Sequence, residues 1–308
     1  MVTITAERQL AGEEPGPRPM AHPRQPRAAR TVDPVVSSVS SALTMLALVC
    51  LWAAAQLMFL GGLSEQRSQQ LLYTEFRTQL ASATAPIGPV VPVGDPVALV
   101  TIPRLGTQQV VVEGTASGDL LAGPGHRRDT VLPGQEGTSV VYGRGATYGA
   151  PFRDVPQLVP GDLVDVVSAQ GTLRFHVIGV RRAGDPLPQP AAAGKARLTL
   201  VTAEGNGSLA AITPDRVVYV DAEADKSFPA PPGRPTGIPH AEQAMSGDPG
   251  ALPLLTLCLA ALLAATLGLL WARGRWSTAL VWVIASPVVI ALSWMTTDVV
   301  MRLLPNLI

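Results

Sequence analysis

The chain has 308 residues, with 23 Lys and Arg against 23 Asp and Glu, and only 15% of its residues are charged. The balanced charge argues against the broad basic surface of a nucleic-acid-binding protein. The low charge content, with apolar residues concentrated toward both ends, argues against an ordinary soluble protein and indicates a membrane protein with a soluble portion.

The first part of the chain predicts a disordered segment followed by a membrane anchor. Residues 1–34 are rich in Pro, Arg, Ala and Glu without apolar periodicity, which is typical of disorder. An uncharged stretch follows and predicts a first transmembrane helix over residues 35–63. Its apolar run is too long and begins too late for a secretory signal peptide, and we expect an uncleaved anchor.

A helical stalk and a linker are predicted next. Residues 64–83 carry leucines and Phe76 at helical spacing, which predicts a short helix. Prolines end this helix, because proline cannot continue a helix, and residues 84–96 are predicted to be a Pro-rich linker.

Between residues 97 and 224 the sequence changes to short β-rich runs separated by turns. No α-helical crossover pattern lies between these runs, so we expect a mostly β domain, an antiparallel barrel or sandwich. The candidate strands are VALVTIP, QVVVEG, TSVVYG, LVDVVSA, LRFHVIGV, LTLVTA and RVVYVDA.

The last part of the chain predicts a tether and two more membrane helices. Residues 225–250 are Pro/Gly-rich and predict an extended tether. Uncharged stretches of about 20 residues predict a second transmembrane helix at 251–272 and a third at 276–297, followed by a tail at 298–308.

The arginines flanking these spans predict the orientation. Arg24, Arg27 and Arg30 precede the first span, and Arg273 and Arg275 lie in the turn between the second and third. By the positive-inside rule both segments are cytoplasmic, so the main domain and the tail are expected outside the plasma membrane. The two cysteines, at positions 50 and 258, fall in predicted spans, and the external portion therefore has no thiol.

Four motifs in the β-rich segment occur in the order that a known protein family shows. They are VALVTIPRLG, GPGHRRDTVLPGQEGTSVVYGRGATYGAPFRDVPQLVPGDLV, LTLVTAEG and RVVYVDAE. Over roughly residues 97–223 they resemble the sortases, membrane-anchored transpeptidases that join surface proteins to the cell wall of Gram-positive bacteria. The resemblance is to class E/F-like members, and the Ala-, Arg-, Pro- and Gly-rich composition suggests an actinobacterial source.

The resemblance implies a sortase-like closed β-barrel outside the membrane and a site of three side chains. In the family a cysteine thiolate attacks the Thr–Gly carbonyl of a sorting signal, a histidine gives a proton to the leaving amine, and an arginine hydrogen-bonds the substrate and the developing oxyanion. Matched residue by residue, the arginine falls on Arg216, the histidine on Arg144 and the cysteine on Ala203.

The resemblance therefore implies a degenerate, inactive member of the family. An alanine methyl cannot attack a carbonyl, and an arginine does not exchange protons near neutral pH. Arg144, Ala203, Glu204 and Arg216 remain candidates for a binding cleft. We expect Glu204 or a partner's carboxylate to bridge the two arginines, with an Arg144 side chain directed into solvent as the alternative. His126, in GPGH, is interpreted as a structural hydrogen-bonder, and no cofactor or metal is expected.

The leading functional hypothesis is a membrane-anchored pseudoenzyme that acts as a binding or assembly subunit at the bacterial cell surface. Its partners would be proteins or extended, sorting-signal-like peptides, and not nucleic acid. One alternative is a transpeptidase or hydrolase with a displaced nucleophile, for which Thr202 and Ser208 are hydroxyl candidates without a predicted base. Another is a structural envelope protein whose barrel binds no peptide.

Overall fold

A computed structural model describes residue 43 and residues 47–205, 214–273 and 275–308. Residues 47–55 are helical and lead through a π-helical turn, Gln56–Leu60, into helix α1, Gly61–Ala81. The predicted disorder of residues 1–34 and the first part of the predicted first membrane span, residues 35–42 and 44–46, lie outside the described residues.

Within the described residues, eight strands close into a barrel in the spatial order β1-β2-β3-β4-β7-β8-β6-β5. Pairing is antiparallel except between β2 and β3 and between β4 and β7. The strands are β1 Pro96–Ile102, β2 Thr107–Glu113, β3 Gly125–His126, β4 Gly137–Tyr142, β5 Leu163–Ser168, β6 Gly171–Arg182, β7 Ala196–Glu204 and β8 Arg216–Ala224.

This architecture confirms the expected mostly β domain and its closure into a barrel. Each predicted strand has its counterpart. The strand that the sequence did not predict is β3, which has two residues and therefore shows no alternation of apolar and polar side chains.

Strand β7 is buried on both faces, and this places the candidate site. Its residues Ala196, Leu198 and Leu200 belong to the main core inside the barrel. Val201 and Ala203 belong to a second buried cluster, because successive side chains of a strand point to opposite faces. The second cluster lies on the outer face of the barrel wall and also contains Leu120, Tyr142 and Leu307.

Helix α1 overlaps residues 64–83, which the sequence predicted to be a helical stalk, and it lies against the barrel. The Gln69 amide donates to the carbonyl oxygens of Val110 (3.1 Å) and Ala122 (2.8 Å) and accepts from the Val110 N–H (2.7 Å). Phe76 is buried. A helix held by backbone contacts to β2 is part of the domain and not a separate stalk.

Two long helices follow the barrel, α2 (Leu252–Arg273) and α3 (Thr278–Leu303). Among the described residues, two stretches are long and apolar enough to cross a membrane: Pro249–Leu269 with mean hydropathy 2.2 and Ala279–Leu303 with 1.9. They correspond to the second and third predicted spans, whereas the first stays a prediction. Helix α3 extends past the predicted end of its span at residue 297.

The segment predicted as a tether, 225–250, makes specific contacts with the barrel. Phe228 pairs with Gln135, and Arg234 donates to the Thr130 carbonyl oxygen and to the Gln135 side chain. Arg128 and Glu242 form a salt bridge. The segment is therefore not free of the domain, because its charged side chains find partners that the Pro/Gly-rich composition does not reveal.

Candidate functional site

The three positions matched to the catalytic side chains meet at one end of the barrel. Strands β4 and β7 are parallel, so their ends, with Arg144 just after Tyr142, lie side by side. Strand β8 runs the other way and begins there, pairing Ala203 with Val217 and Glu204 with Arg216. The topology therefore places Arg144, Ala203 and Arg216 at the same end of the barrel, with Arg216 on the face of the sheet that Glu204 occupies and not on that of Ala203.

The two glycines around Arg144 allow the chain to pass directly against its neighbours. The Gly143 N–H donates to the Val201 carbonyl oxygen at 2.9 Å. A Cβ on Gly143 would lie 2.4 Å from the ring of Phe152, and a Cβ on Gly145 would lie 2.4 Å from the Ala203 carbonyl oxygen. Close approach, and not a left-handed backbone, explains why glycine occupies both positions.

A methyl group at position 145 is expected to be costly for this reason. Gly145→Ala should lower the unfolding free energy by about 1–3 kcal/mol, the usual cost of overpacking a closed site. The matched control is Gly179→Ala in β6, where no described atom lies within 4 Å of the Cβ position. Thermal unfolding of the full chain in detergent, followed by circular dichroism, compares the two. Equal midpoints would contradict the close packing of Gly145 on β7.

The Arg144 side chain is fully buried and hydrogen-bonded at both terminal nitrogens. Its Nη2 donates to the Ser117 carbonyl oxygen (2.9 Å) and hydroxyl (2.8 Å). Its Nη1 donates to the Thr147 hydroxyl (3.1 Å) and to the Ile308 carbonyl oxygen (2.9 Å). The guanidinium carbon lies 5.6 Å from the centre of the Tyr148 ring. Burial lowers the pKa of Arg144 to about 10.

Two expectations for the surroundings of Arg144, the Glu204 bridge and the solvent-directed side chain, were wrong, whereas a bridging carboxylate from a partner stays a prediction. Its side chain does not reach solvent, and Glu204 does not bridge it to Arg216. Glu204 instead accepts from Arg182 at 2.5 and 3.0 Å, and this arginine lowers the pKa of the carboxyl group. Arg216 remains beside it, with Nη2 3.9 Å from Glu204 Oε1. Glu204 follows Ala203 on β7 and therefore faces the opposite side of the strand.

Ala203 lies under a closed apolar cluster. It is 6% exposed and packs with Leu120, Tyr142, Val201 and Leu307. Its neighbour Thr202 is fully buried, and no hydrogen-bond partner for its hydroxyl occurs among the described residues. Strand alternation directs Thr202 away from the face that Ala203 occupies. Ser208, the other hydroxyl candidate, lies outside the described residues.

His126 lies in the barrel wall, on the short strand β3. Its Nδ1 is 2.7 Å from Glu113 Oε2, and its Nε2 is 2.8 Å from the Val131 carbonyl oxygen. The ring is fully buried. With both nitrogens engaged, we propose that His126 supports the barrel and takes no part in proton transfer at Ala203.

One buried and one partly buried carboxyl group flank this end of the barrel. Burial raises the pKa of Asp119 to about 6, although the Ala116 N–H donates to it, and raises the pKa of Glu65 in α1 to about 7. Neither belongs to a metal-binding cluster: the part of the chain that the structure describes contains no group of His, Cys, Asp and Glu able to hold a metal ion.

Several residues of the site were not predicted from the sequence. Ser117 stands in no recognised motif, Thr147 lies in a matched motif but was given no role, and Leu307 and Ile308 were assigned to an external tail. They come from parts of the chain up to 164 positions away from Arg144. The matched motif placed Arg144 at the position of the family's histidine, but it carried no information on these partners.

Comparisons with known proteins agree with the matched motifs. A family model described as the sortase domain matches residues 100–224. Sortase D of Bacillus subtilis (strain 168) is 27% identical over 116 residues, which are 38% of this chain and 56% of the relative. The match thus spans little more than half the length of that relative.

Solved sortase structures are also similar to this chain. A Clostridium perfringens sortase D5 transpeptidase has 18% identity and a TM-score of 0.41, over 52% of this chain and 98% of that one. Sortase E from Streptomyces avermitilis has 28% identity and a TM-score of 0.35, over 50% of this chain and 100% of that one. On the match to the family model, residues 100–224 of this chain form a domain of the sortase family.

Proposed function

We propose that this chain is a membrane-anchored, class E/F-like sortase-domain protein of an actinobacterium, which performs no thiol chemistry and acts as a binding or assembly subunit at the cell surface. The observation that carries the proposal is the pair of side chains at the reacting positions. Ala203 presents a methyl group, and Arg144 is a buried, hydrogen-bonded guanidinium.

Neither side chain supports acyl transfer. A covalent intermediate needs a nucleophile activated by a neighbouring base, and Ala203 has none to offer. An acid releases its proton readily when its pKa is close to the working pH. Even lowered to about 10, the pKa of Arg144 keeps the guanidinium protonated at neutral pH.

A displaced hydroxyl nucleophile finds no support at Thr202. Its side chain faces away from Ala203 and lies buried without a hydrogen-bond partner among the described residues. A hydroxyl without an adjacent base is a poor nucleophile. Ser208 is left for the experiment to test.

The same end of the barrel is equipped to hold peptide backbone. The Gly145 N–H, the Arg144 Nη1 and the Thr147 hydroxyl all donate to main-chain carbonyl oxygens. The apolar cluster around Ala203 provides a pocket for one side chain. Backbone hydrogen bonds with a side-chain pocket are the usual means of recognising an extended peptide.

The membrane helices support a cell-surface location. Helices α2 and α3 follow the domain, and Arg273 ends α2 while Arg275 lies in the turn before α3. By the positive-inside rule this turn is cytoplasmic, which leaves the barrel and residues 304–308 outside the membrane. The N-terminus would then be cytoplasmic as well.

The proposal is tested with the full chain in detergent and a fluorogenic sorting-signal peptide. Leu307 and Ile308 are hydrogen-bonded at this end of the barrel, so an added peptide has to compete with residues 304–308. Peptide is therefore added up to the millimolar range, roughly the weak end of specific binding. We expect saturable binding by fluorescence anisotropy and no turnover above that of buffer. Turnover that Thr202→Ala or Ser208→Ala abolishes would identify an enzyme, and absence of both signals would favour a purely structural protein.

A further inference from the structure

The segment that follows α3, residues 304–308, lies in the site around Arg144 and Ala203. We infer that this segment is the resident ligand of the site: an apolar peptide supplied by the chain itself, which has to leave before another peptide can bind. The inference rests on the proposed function only in taking this end of the barrel as the peptide site.

Backbone hydrogen bonds hold the segment at two successive carbonyl groups. The Gly145 N–H donates to the Leu307 carbonyl oxygen at 2.9 Å. The Ile308 carbonyl oxygen accepts from Arg144 Nη1 at 2.9 Å and from the Thr147 hydroxyl at 2.5 Å. The donors all belong to the Gly-Arg-Gly turn and the residues just after it, the place where the family holds its histidine.

An apolar anchor fills the pocket over the missing nucleophile. Leu307 is fully buried, and it packs with Leu120, Tyr142, Val201 and Ala203. Full burial of a leucine side chain is a strong contribution to docking of so short a segment. Ala203 and Leu307 therefore share one closed apolar cluster, where a longer, polar side chain at position 203 would meet an apolar surface.

A buried amide fixes the register of the segment. The Asn306 side chain is fully buried and donates to the carbonyl oxygens of Thr115 (2.8 Å) and Gln243 (2.9 Å). Its N–H donates to the Ser246 carbonyl oxygen at 3.0 Å. Moving the segment by one residue would separate these polar groups, and buried polar groups are costly when unpaired. The docking is therefore specific and not a loose apolar contact.

The length and donor number of arginine suit this arrangement. One terminal nitrogen of Arg144 is held by Ser117, which belongs to the domain, and the other reaches the Ile308 carbonyl of the segment. A histidine has two ring nitrogens and could not make both sets of contacts. Arg144 is thus a binding residue for a main-chain oxygen in a position where the family uses a proton donor.

A thiol placed under the segment reports whether the site is covered. Ala203→Cys is made in a full chain that also carries Cys50→Ala and Cys258→Ala, and its reaction with a maleimide is timed in detergent. Removing residues 304–308, or Leu307→Ala alone, should speed the labelling at least about tenfold, which corresponds to about 1.4 kcal/mol. The matched control is Ala222→Cys, a fully buried alanine of β8 in the main core, which should stay unreactive throughout.

The control separates uncovering from unfolding. If the thiol introduced by Ala203→Cys reacts at the same rate with and without residues 304–308, the inference is wrong. If removal of the segment also exposes the thiol of the Ala222→Cys control, the truncated chain has partly unfolded and Leu307→Ala becomes the deciding variant. In Leu307→Ala, the thiol at position 203 alone should gain reactivity. Parallel gains at both positions in that variant would equally overturn the inference.

A second measurement distinguishes the inference from the proposed function. A fluorescent peptide with the sequence of residues 303–308, LLPNLI, should bind the chain that lacks residues 304–308 at least about tenfold more tightly than the complete chain, a difference of about 1.4 kcal/mol. Faster labelling of the Ala203→Cys thiol without any peptide binding would support the covering role of residues 304–308. The same result would count against a peptide-binding function. Equal binding by both chains would overturn the inference.

Discussion

Arg144→Ala should lower the unfolding free energy of the protein by about 3–5 kcal/mol, the range seen when a buried side chain is truncated and polar partners lose their bonds. The side chain is fully buried and donates to Ser117, Thr147 and Ile308. Its removal leaves a cavity as well as acceptors without donors. Thermal and urea unfolding of the full chain in detergent measure the loss.

Arg182→Ala provides the matched control, because it removes an arginine at the same end of the barrel. The Arg182 side chain is 45% exposed and pairs with Glu204. Exposed ion pairs contribute about 0–1 kcal/mol, so the loss should be correspondingly small. Equal losses for the two variants would mean that the hydrogen bonds of Arg144 contribute nothing beyond those of a surface pair.

Burying the charge of Arg144 has its own cost, and any variant that removes the charge recovers part of it. The lowered pKa indicates that desolvation of the guanidinium costs roughly 3 kcal/mol. Arg144→Met removes the charge and fills much of the volume, so it should lose less stability than Arg144→Ala. Both variants lose the charge and the hydrogen bonds, so a methionine variant less stable than the alanine variant would show that methionine does not fit the space that the guanidinium leaves.

The positions of the site were predictable because they depend on strand order. The runs around LTLVTA and RVVYVDA are strongly β-forming, and the family motifs occur in sequence order, so Arg144, Ala203 and Arg216 could be placed at one barrel end without coordinates. Parallel pairing of β4 with β7 and antiparallel pairing of β7 with β8 then bring these positions together.

The partners of Arg144 could not be predicted, since they depend on packing between distant segments. Glu204 was chosen because it adjoins Ala203, yet adjacent strand residues face opposite sides and Glu204 pairs with Arg182. Ile308 follows a long apolar helix and carries no motif. For the same reason the pattern of residues 64–83 predicted a helix but not the bonds of Gln69 to Val110 and Ala122.

Restoring both missing groups should restore measurable chemistry if the cleft geometry has survived. The variant Arg144→His with Ala203→Cys, in a chain without residues 304–308, should cleave a sorting-signal peptide slowly, because the thiol and the imidazole would stand at the ends of the paired strands β4 and β7. Mass spectrometry of the acyl-enzyme and fluorogenic turnover both detect the reaction.

The two single variants show how much each restored side chain contributes to the rate of cleavage. Ala203→Cys alone keeps Arg144, which holds its proton, and should turn over at least about 100-fold more slowly than the double variant, the lower end of what a general acid contributes. Arg144→His alone has no nucleophile and should be inactive. Because both histidine variants lose the Ser117 bonds, circular dichroism must first show them folded at the assay temperature. A folded double variant that is no faster than Ala203→Cys would mean that residues 144 and 203 do not face a common substrate. The residue-by-residue match to the family would then hold for the barrel but fail at the site.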